Sequence, residues 1–451
     1  MKDGWHRRLI TCLGFGLILA CLCNGAGFYL KKIGALNHEE YQAYWVIHCT
    51  GAVPTSAIAP DPCAGKDDAS QQRSKQISLE AEYVAHLHKA NGAELALKLA
   101  KDVLSLALLS LSVALIATRR VAFPDLRANA PAVVLLTLVF AGSIHSWLTQ
   151  DGLLALLGFR SFAFLAIALT AGWLARDLHE FAKYVCGLLA LQVLLLPIEF
   201  AWGMHIHGHF PGTIWPIRLS GTFVFPNTLG VFAVIALAFV HAFASTVRRM
   251  PWLHCIVAIL VLVSGSATGW ITLILFWGLL ALLKIKRQSR LRWSVVLMAV
   301  VLLTVLCLPA LVGRQDLFNS VFGGGGRLDG LIAVARSGTI IQLLWGSGLG
   351  SVTNTATSAF INGLTPLAGT VVPEIFGAGD STVTSLLAQL GLTGVVAFYG
   401  MLAVAAWQHR RTRIFFLVVT ISSLTINIPE LYPANILLGM ALVAQTANAA
   451  A

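Results

Sequence analysis

Residues 252–283 read WLHCIVAILVLVSGSATGWITLILFWGLLALL, an apolar run of about 32 residues. One membrane crossing takes about 20 residues, so the run is too long for one ordinary span and short for two. Its flanks decide the reading. Arg248 and Arg249 precede it, and Lys284, Lys286, Arg287, Arg290 and Arg292 follow it. Basic residues collect on the cytoplasmic side of a membrane, so two cytoplasmic flanks require an even number of crossings. The run is therefore expected to be a hairpin of two short helices, broken at Ser264-Gly265-Ser266-Ala267-Thr268-Gly269. Small polar residues at that depth are tolerated where the backbone is buried or lines a cavity.

The same logic extends along the chain. Of its 451 residues 57% are hydrophobic and 11% charged, against about 25% charged in soluble domains, which excludes a water-soluble globule. Other apolar runs lie near 9–30, 95–117, 130–148, 159–175, 184–203, 222–244, 293–312, 381–407, 414–428 and 434–448. The expected architecture is an all-α polytopic membrane protein of about 12 transmembrane helices, both termini cytoplasmic. Lys2, Arg7, Arg8, Arg119, Arg120, Arg127, Arg176, Lys183, Arg410, Arg411 and Arg413 all then fall inside. The net charge of +11 is thus membrane-anchoring charge, and the chain does not read as a nucleic-acid binder. The N-terminus admits a second reading, as a cleaved or lipidated signal around Cys21.

Two outer loops stand out. Residues 31–92 form the first and contain Cys49 and Cys63, which read as a disulfide or as two free thiols. The larger, 313–379, carries Arg314, Asp316, Arg327, Asp329, Arg336 and Glu374, with Asp380 where the chain re-enters the membrane. Gly323–Gly326 before Arg327 lets backbone approach a ligand and delivers a guanidinium beside it; a flexible turn is the alternative. Residues 338–345 are apolar enough to lie at the interface. His205, His207 and His209 would share a face of an extended segment, yet no carboxylate or thiol follows to complete a metal site. Glu430, in the Pro-bounded outer turn Asn427–Pro433, reads as a solvated acid or, alternatively, as capping the acceptor side of a cavity.

At the mouth of the sixth span, Arg218 leads into Gly221, Pro226, Asn227 and Gly230. A boundary arginine before a Pro-Asn step marks a substrate path, or snorkels to the headgroups. Four blocks in this order resemble the O-antigen ligase and O-antigen polymerase family of membrane glycosyltransferases. They are Arg218-Leu219-Ser220-Gly221-Thr222-Phe223 with Pro226-Asn227; Leu262 to Trp270, with Ser264 and Ser266; Gly326-Arg327 with Trp345-Gly346-Ser347-Gly348-Leu349-Gly350; and Asp380-Ser381-Thr382 with Gln389 to Gly394. They cover roughly 215–400, and the first 200 residues match only as hydrophobic spans.

The resemblance implies metal-independent transfer of glycan from a polyprenyl (undecaprenyl) diphosphate to an acceptor glycan hydroxyl, without a cofactor. It places the protein in a bacterial cytoplasmic (inner) membrane, its site facing the periplasm, beside other polysaccharide-assembly proteins. Arg218 and Arg327 match the family's arginines and are expected at the diphosphate, with Arg314 and Arg336 in reserve. Where the ligases have a His-Asn pair this chain has Asp380-Ser381. Asp380 is expected as the catalytic base or, alternatively, as a helix N-cap, with Glu374 next in line. The missing His favours polymerisation of repeat units, then ligation to lipid A-core, then transfer to protein. A secondary transporter or flippase is the rival of another class. It is disfavoured because ionisable groups in the spans are few, Glu199, Glu430, His145 and His241 among them.

Overall fold

The computed structural model describes residues 3–36, 130–149, 152–175, 178–201, 218–223, 226–244, 250–284, 327–337, 339–350, 381–408 and 412–449, residue 296, and parts of 96–114. Among them every regular element is helical and none is a strand. The helices are α1 (Asp3–Leu36), α2 (Ala130–Thr149), α3 (Gly152–Ala175), α4 (His179–Ala201), α5 (Pro226–Phe243), α6 (Pro251–Ser264), α7 (Ala267–Lys284), α8 (Arg327–Ser337), α9 (Ile340–Trp345), α10 (Thr382–Gln408), α11 (Arg413–Ser423) and α12 (Ala434–Ala449). Four stretches among the described residues are long and apolar enough to cross a membrane: Ile10–Gly27 in α1, and α4, α5 and α10. Leu148, Leu194, Ile340 and Trp407 are large apolar side chains left exposed, as a lipid-facing surface requires.

Helix α5 is the centre. It is apolar on every face, its side chains from Leu229 to Val240 are buried, and α4, α6, α7, α11 and α12 all pack on it. Pro226 opens it at a position whose N–H has no intrahelical partner. A second group forms around α10, which packs on α2, α8, α9 and α11, while α3 packs on α12, α2 and α1.

The 252–283 hairpin is present. Helix α6 closes on Gly265, at φ 56°, whose N–H returns to Leu262 O (3.0 Å). Ser266 then caps α7 by accepting from Gly269 N (3.0 Å). His254 and Trp277 lie equally far from the break, and Trp277 Nε1 donates to His254 Nδ1 (3.1 Å), so the two helices run antiparallel. Each helix also packs on α5. At 14 residues α6 is about 21 Å long, short of the roughly 30 Å hydrocarbon core.

Two expectations change. The span expected over 414–428 is helical only from Arg413 to Ser423, about 16 Å. The rest is irregular chain packed inside the protein: Asn427, Ile428 and Leu431 are buried. Glu430, expected to be solvated, is half-buried there, and its Oε1 is shut off from solvent. Helix α10, in turn, is broken at Gly391 (φ 64°, ψ −165°). The break exposes Ala388 O and Gln389 O, which accept from Ser347 N (2.7 Å) and Gly348 N (3.1 Å). Gly350 N donates to Gln389 Oε1 (3.1 Å), so residues 346–350 lie along the broken helix. They also rest on α3, where a Cβ on Gly158 would stand 2.2 Å from Gly350 N.

That contact has no room to give, because backbone faces it. Gly158→Val should destabilise the protein by about 3 kcal/mol or more, the upper end for overpacking. A lowered thermal midpoint of the detergent-purified protein would register it, with Gly187→Val, at an open position, as the control.

Candidate functional site

The first and second sequence blocks meet inside the bundle. Residues 218–223 are not helical, yet Arg218, Leu219, Ser220, Thr222 and Phe223 are all buried. Non-helical chain in an apolar interior needs partners for its N–H groups, and two side chains of α4 supply them. Glu199 accepts from Ser220 N through both carboxylate oxygens (2.9 and 3.0 Å), from Ser220 Oγ (2.9 Å) and from Gly221 N (2.8 Å). Gln192 accepts from Thr222 N (2.9 Å) and donates to Thr222 Oγ1 (2.9 Å). From α1, Asn24 Nδ2 donates to Thr222 O (3.3 Å). Gly221 turns the chain at φ 58°, and a Cβ there would meet Gln192 Oε1 at 2.4 Å. Glycine is required at that position.

This segment completes the end of α6. The last carbonyls of a helix have no intrahelical donor and carry partial negative charge. Val263 O accepts from Leu219 N (3.0 Å), and Ser264 O accepts from Arg218 Nε (2.8 Å). Arg218, 6% exposed, also donates through Nη2 to Asn227 Oδ1 in the first turn of α5. Ser266 Oγ donates to Asn227 O (3.4 Å), and Gly230 sits against Ser264 and Ser266 with no room for a side chain. One guanidinium is thus fixed where the C-terminus of α6 meets the N-termini of α5 and α7. The two N-termini add positive potential to the arginine's charge.

The third and fourth blocks meet as well, through the 346–350 chain lying on the broken α10. Gly346 (φ 81°) and Gly391 are in backbone contact with the opposite segment: a Cβ on Gly346 would stand 2.3 Å from Gln389 O, and one on Gly391 2.4 Å from Leu344 O. A polar face follows on α10. Thr382 Oγ1 donates to Ile426 O (2.8 Å) and accepts from Ile428 N (2.9 Å). Ser385 Oγ accepts from Gln389 Nε2 (2.7 Å) and Asn427 Nδ2 (3.0 Å).

The expected site residues fall as follows. Arg218, Gly221, Pro226, Asn227, Ser264 and Ser266 come together. Arg327 opens α8, and Arg336 is exposed near its end. Asp380, Glu374, Arg314, Gly326, Cys49, Cys63 and the three histidines at 205, 207 and 209 lie outside the described residues. The N-cap role considered for Asp380 belongs to Ser381, whose Oγ accepts from Thr384 N (3.2 Å) and whose carbonyl accepts from Ser385 N (3.0 Å). Among the described residues no three His, Cys, Asp or Glu side chains gather where a metal ion could be held.

Gln192 and Glu199 were not legible as site residues. Their signal was present: two polar side chains seven residues apart lie on one face of an otherwise apolar helix. Two stretches expected to span also carry charge, since Asp102 and Arg160 form an ion pair (3.1 Å) between the 96–114 stretch and α3. Compared with known proteins, the chain matches no family model, no curated protein and no solved structure.

Glu199→Ala would strand Ser220 N, Ser220 Oγ and Gly221 N in the interior, at about 1–3 kcal/mol for each group. The expected outcome is a protein with a much lower melting point in detergent. Glu199→Gln keeps one acceptor oxygen and should lose less. Equal melting of both variants and the parent would show that the carboxylate does not hold this segment.

Proposed function

We propose that the protein is a membrane glycosyltransferase that takes glycan from a polyprenyl (undecaprenyl) diphosphate and joins it to an acceptor sugar hydroxyl, extending a surface polysaccharide or O-antigen. The observation that carries this reading is the buried Arg218 guanidinium, held on non-helical chain at a three-helix junction inside the bundle. A charge there is expensive to keep and marks a functional position. Arginine stays protonated and grips phosphate oxygens in two places, and helix N-termini favour the same anion.

The chemistry needs little else. The acceptor oxygen attacks the anomeric carbon, the carbon–oxygen bond to the diphosphate breaks, and the electron pair leaves with the diphosphate. Negative charge that builds on those oxygens is stabilised by Arg218, with Arg327 as the second guanidinium from the loop. The acceptor's proton passes to Asp380, or to Glu374 in its place. Asp380 precedes Ser381, which caps the helix bearing the Thr382–Gln389 polar face. The site belongs at the periplasmic face of a bacterial inner membrane, and the whole reading is that of the family its four blocks resemble.

Arg218→Ala should abolish product while the protein still inserts, and Arg218→Lys, which keeps the charge without the planar fork, should lose at least about tenfold in rate. The measurement is the profile of lipid-linked glycans in cells carrying only the variant. Single repeat units accumulating on the carrier support polymerisation. Long chains retained on the carrier assign the protein to ligation instead. A normal profile at normal abundance would overturn the role of Arg218.

A further inference from the structure

The Asp102–Arg160 pair is charge that the proposed reaction does not use. Arg160 lies on α3, about 12 Å along the axis from Gly152, and Asp102 belongs to the helical residues between 96 and 114. Only the Nε edge of the guanidinium is engaged, donating to Asp102 Oδ1 at 3.1 Å. Among the described residues Arg160 makes no other hydrogen bond or ion pair, although a guanidinium has five N–H donors. The side chains are 32% and 17% exposed, so the pair is not sealed inside the bundle.

One side of the pair is apolar and open, while half-buried Tyr432 lies near Asp102. Leu156, one turn from Arg160 on the same face, is 57% exposed, and Phe159 39%. Beside Asp102, Leu99 is 49% exposed and Val103 63%. In a chain that crosses a membrane such a face meets lipid tails. A cation with an unpaired pair of Nη groups, set in a tail-facing surface, complements one kind of molecule: an amphiphile with phosphate oxygens at the base of a long hydrocarbon chain. A neutral lipid would satisfy the apolar face and leave the guanidinium unpaired. A water-soluble phosphate would satisfy the guanidinium and leave the face bare.

We infer that Arg160, oriented by Asp102, is a binding site for the phosphate of a membrane lipid, separate from the Arg218 junction. Asp102 acts as a positioning residue: it occupies the Nε edge and leaves the two Nη groups directed to the phosphate. The inference does not depend on glycosyl transfer. Two sources share the chemistry, a polyprenyl phosphate carrier and an anionic phospholipid.

The test is lipid retention by the full-length protein in detergent, read by native mass spectrometry with undecaprenyl phosphate, phosphatidylglycerol or uncharged diacylglycerol added. The parent should retain the two phosphate lipids in preference to diacylglycerol. Arg160→Ala should weaken that retention by about tenfold or more, and Arg160→Lys by less. Asp102→Asn, which keeps an oxygen to accept from Arg160 Nε and removes only the negative charge, should retain phosphate lipid. A purely structural ion pair would make Arg160→Ala and Asp102→Asn behave alike, and that result, or unchanged retention in Arg160→Ala, would overturn the inference. Preference for undecaprenyl phosphate over phosphatidylglycerol assigns the site to the carrier, and equal retention to anionic lipid in general; either supports a phosphate site.

Discussion

The carboxylate of Glu199 gripping the main chain at Ser220 and Gly221 is the constraint on which the rest of the site depends. An apolar interior cannot hydrate free N–H groups, so a segment that is neither helix nor strand survives there only if side chains take the place of water. Glu199 and Gln192 do this for residues 220–222. With the segment fixed, its leading residues reach the end of α6 and satisfy carbonyls that the helix itself leaves open. The buried arginine is therefore both a cap and a charge, and its position follows from a carboxylate on a different helix.

Three helix interruptions obey one rule. At 264–266, at 388–391 and at 424–433, backbone groups released by a broken helix are taken up by another part of the chain. Leu219 and Arg218 answer the first, Ser347 and Gly348 the second, and Thr382 the third. Each interruption is consequently also a tertiary joint. The joints explain why α6 and α11 can be too short to span the bilayer alone without leaving polar groups against lipid.

Charge parity and hydropathy were enough to read the hairpin at 252–283 and to place its break, because both depend on local composition. Arg218 and Asn227 were legible as a pair for the same reason: they flank one helix start. Glu199 was visible only as an ionisable residue in a span, since its partners are backbone groups that no side-chain pattern announces. The early end of α11 was hidden because Leu424 to Ile428 is apolar enough to pass as helix, while Ile426 O and Ile428 N bond instead to Thr382 of α10. Gly391 was quoted within a block without its consequence, a break in an otherwise continuous apolar run. Asp102 and Arg160 carried no reading in the sequence, and only the packing of two helices makes them a pair.

The clamp of residues 346–350 on α10 bears on the chain between them. Residues 351–380 depart from Gly350, bound at Gln389, and return at Ser381, the cap of the same helix. Those anchor points are separated by about 12 Å of helix. The described ends at Gly350 and Ser381 are therefore held by one helix, and the entropy of bringing them together is spent in folding the bundle. A shift or tilt of α10 therefore moves the two attachment points, at Gly350 and at Ser381, together.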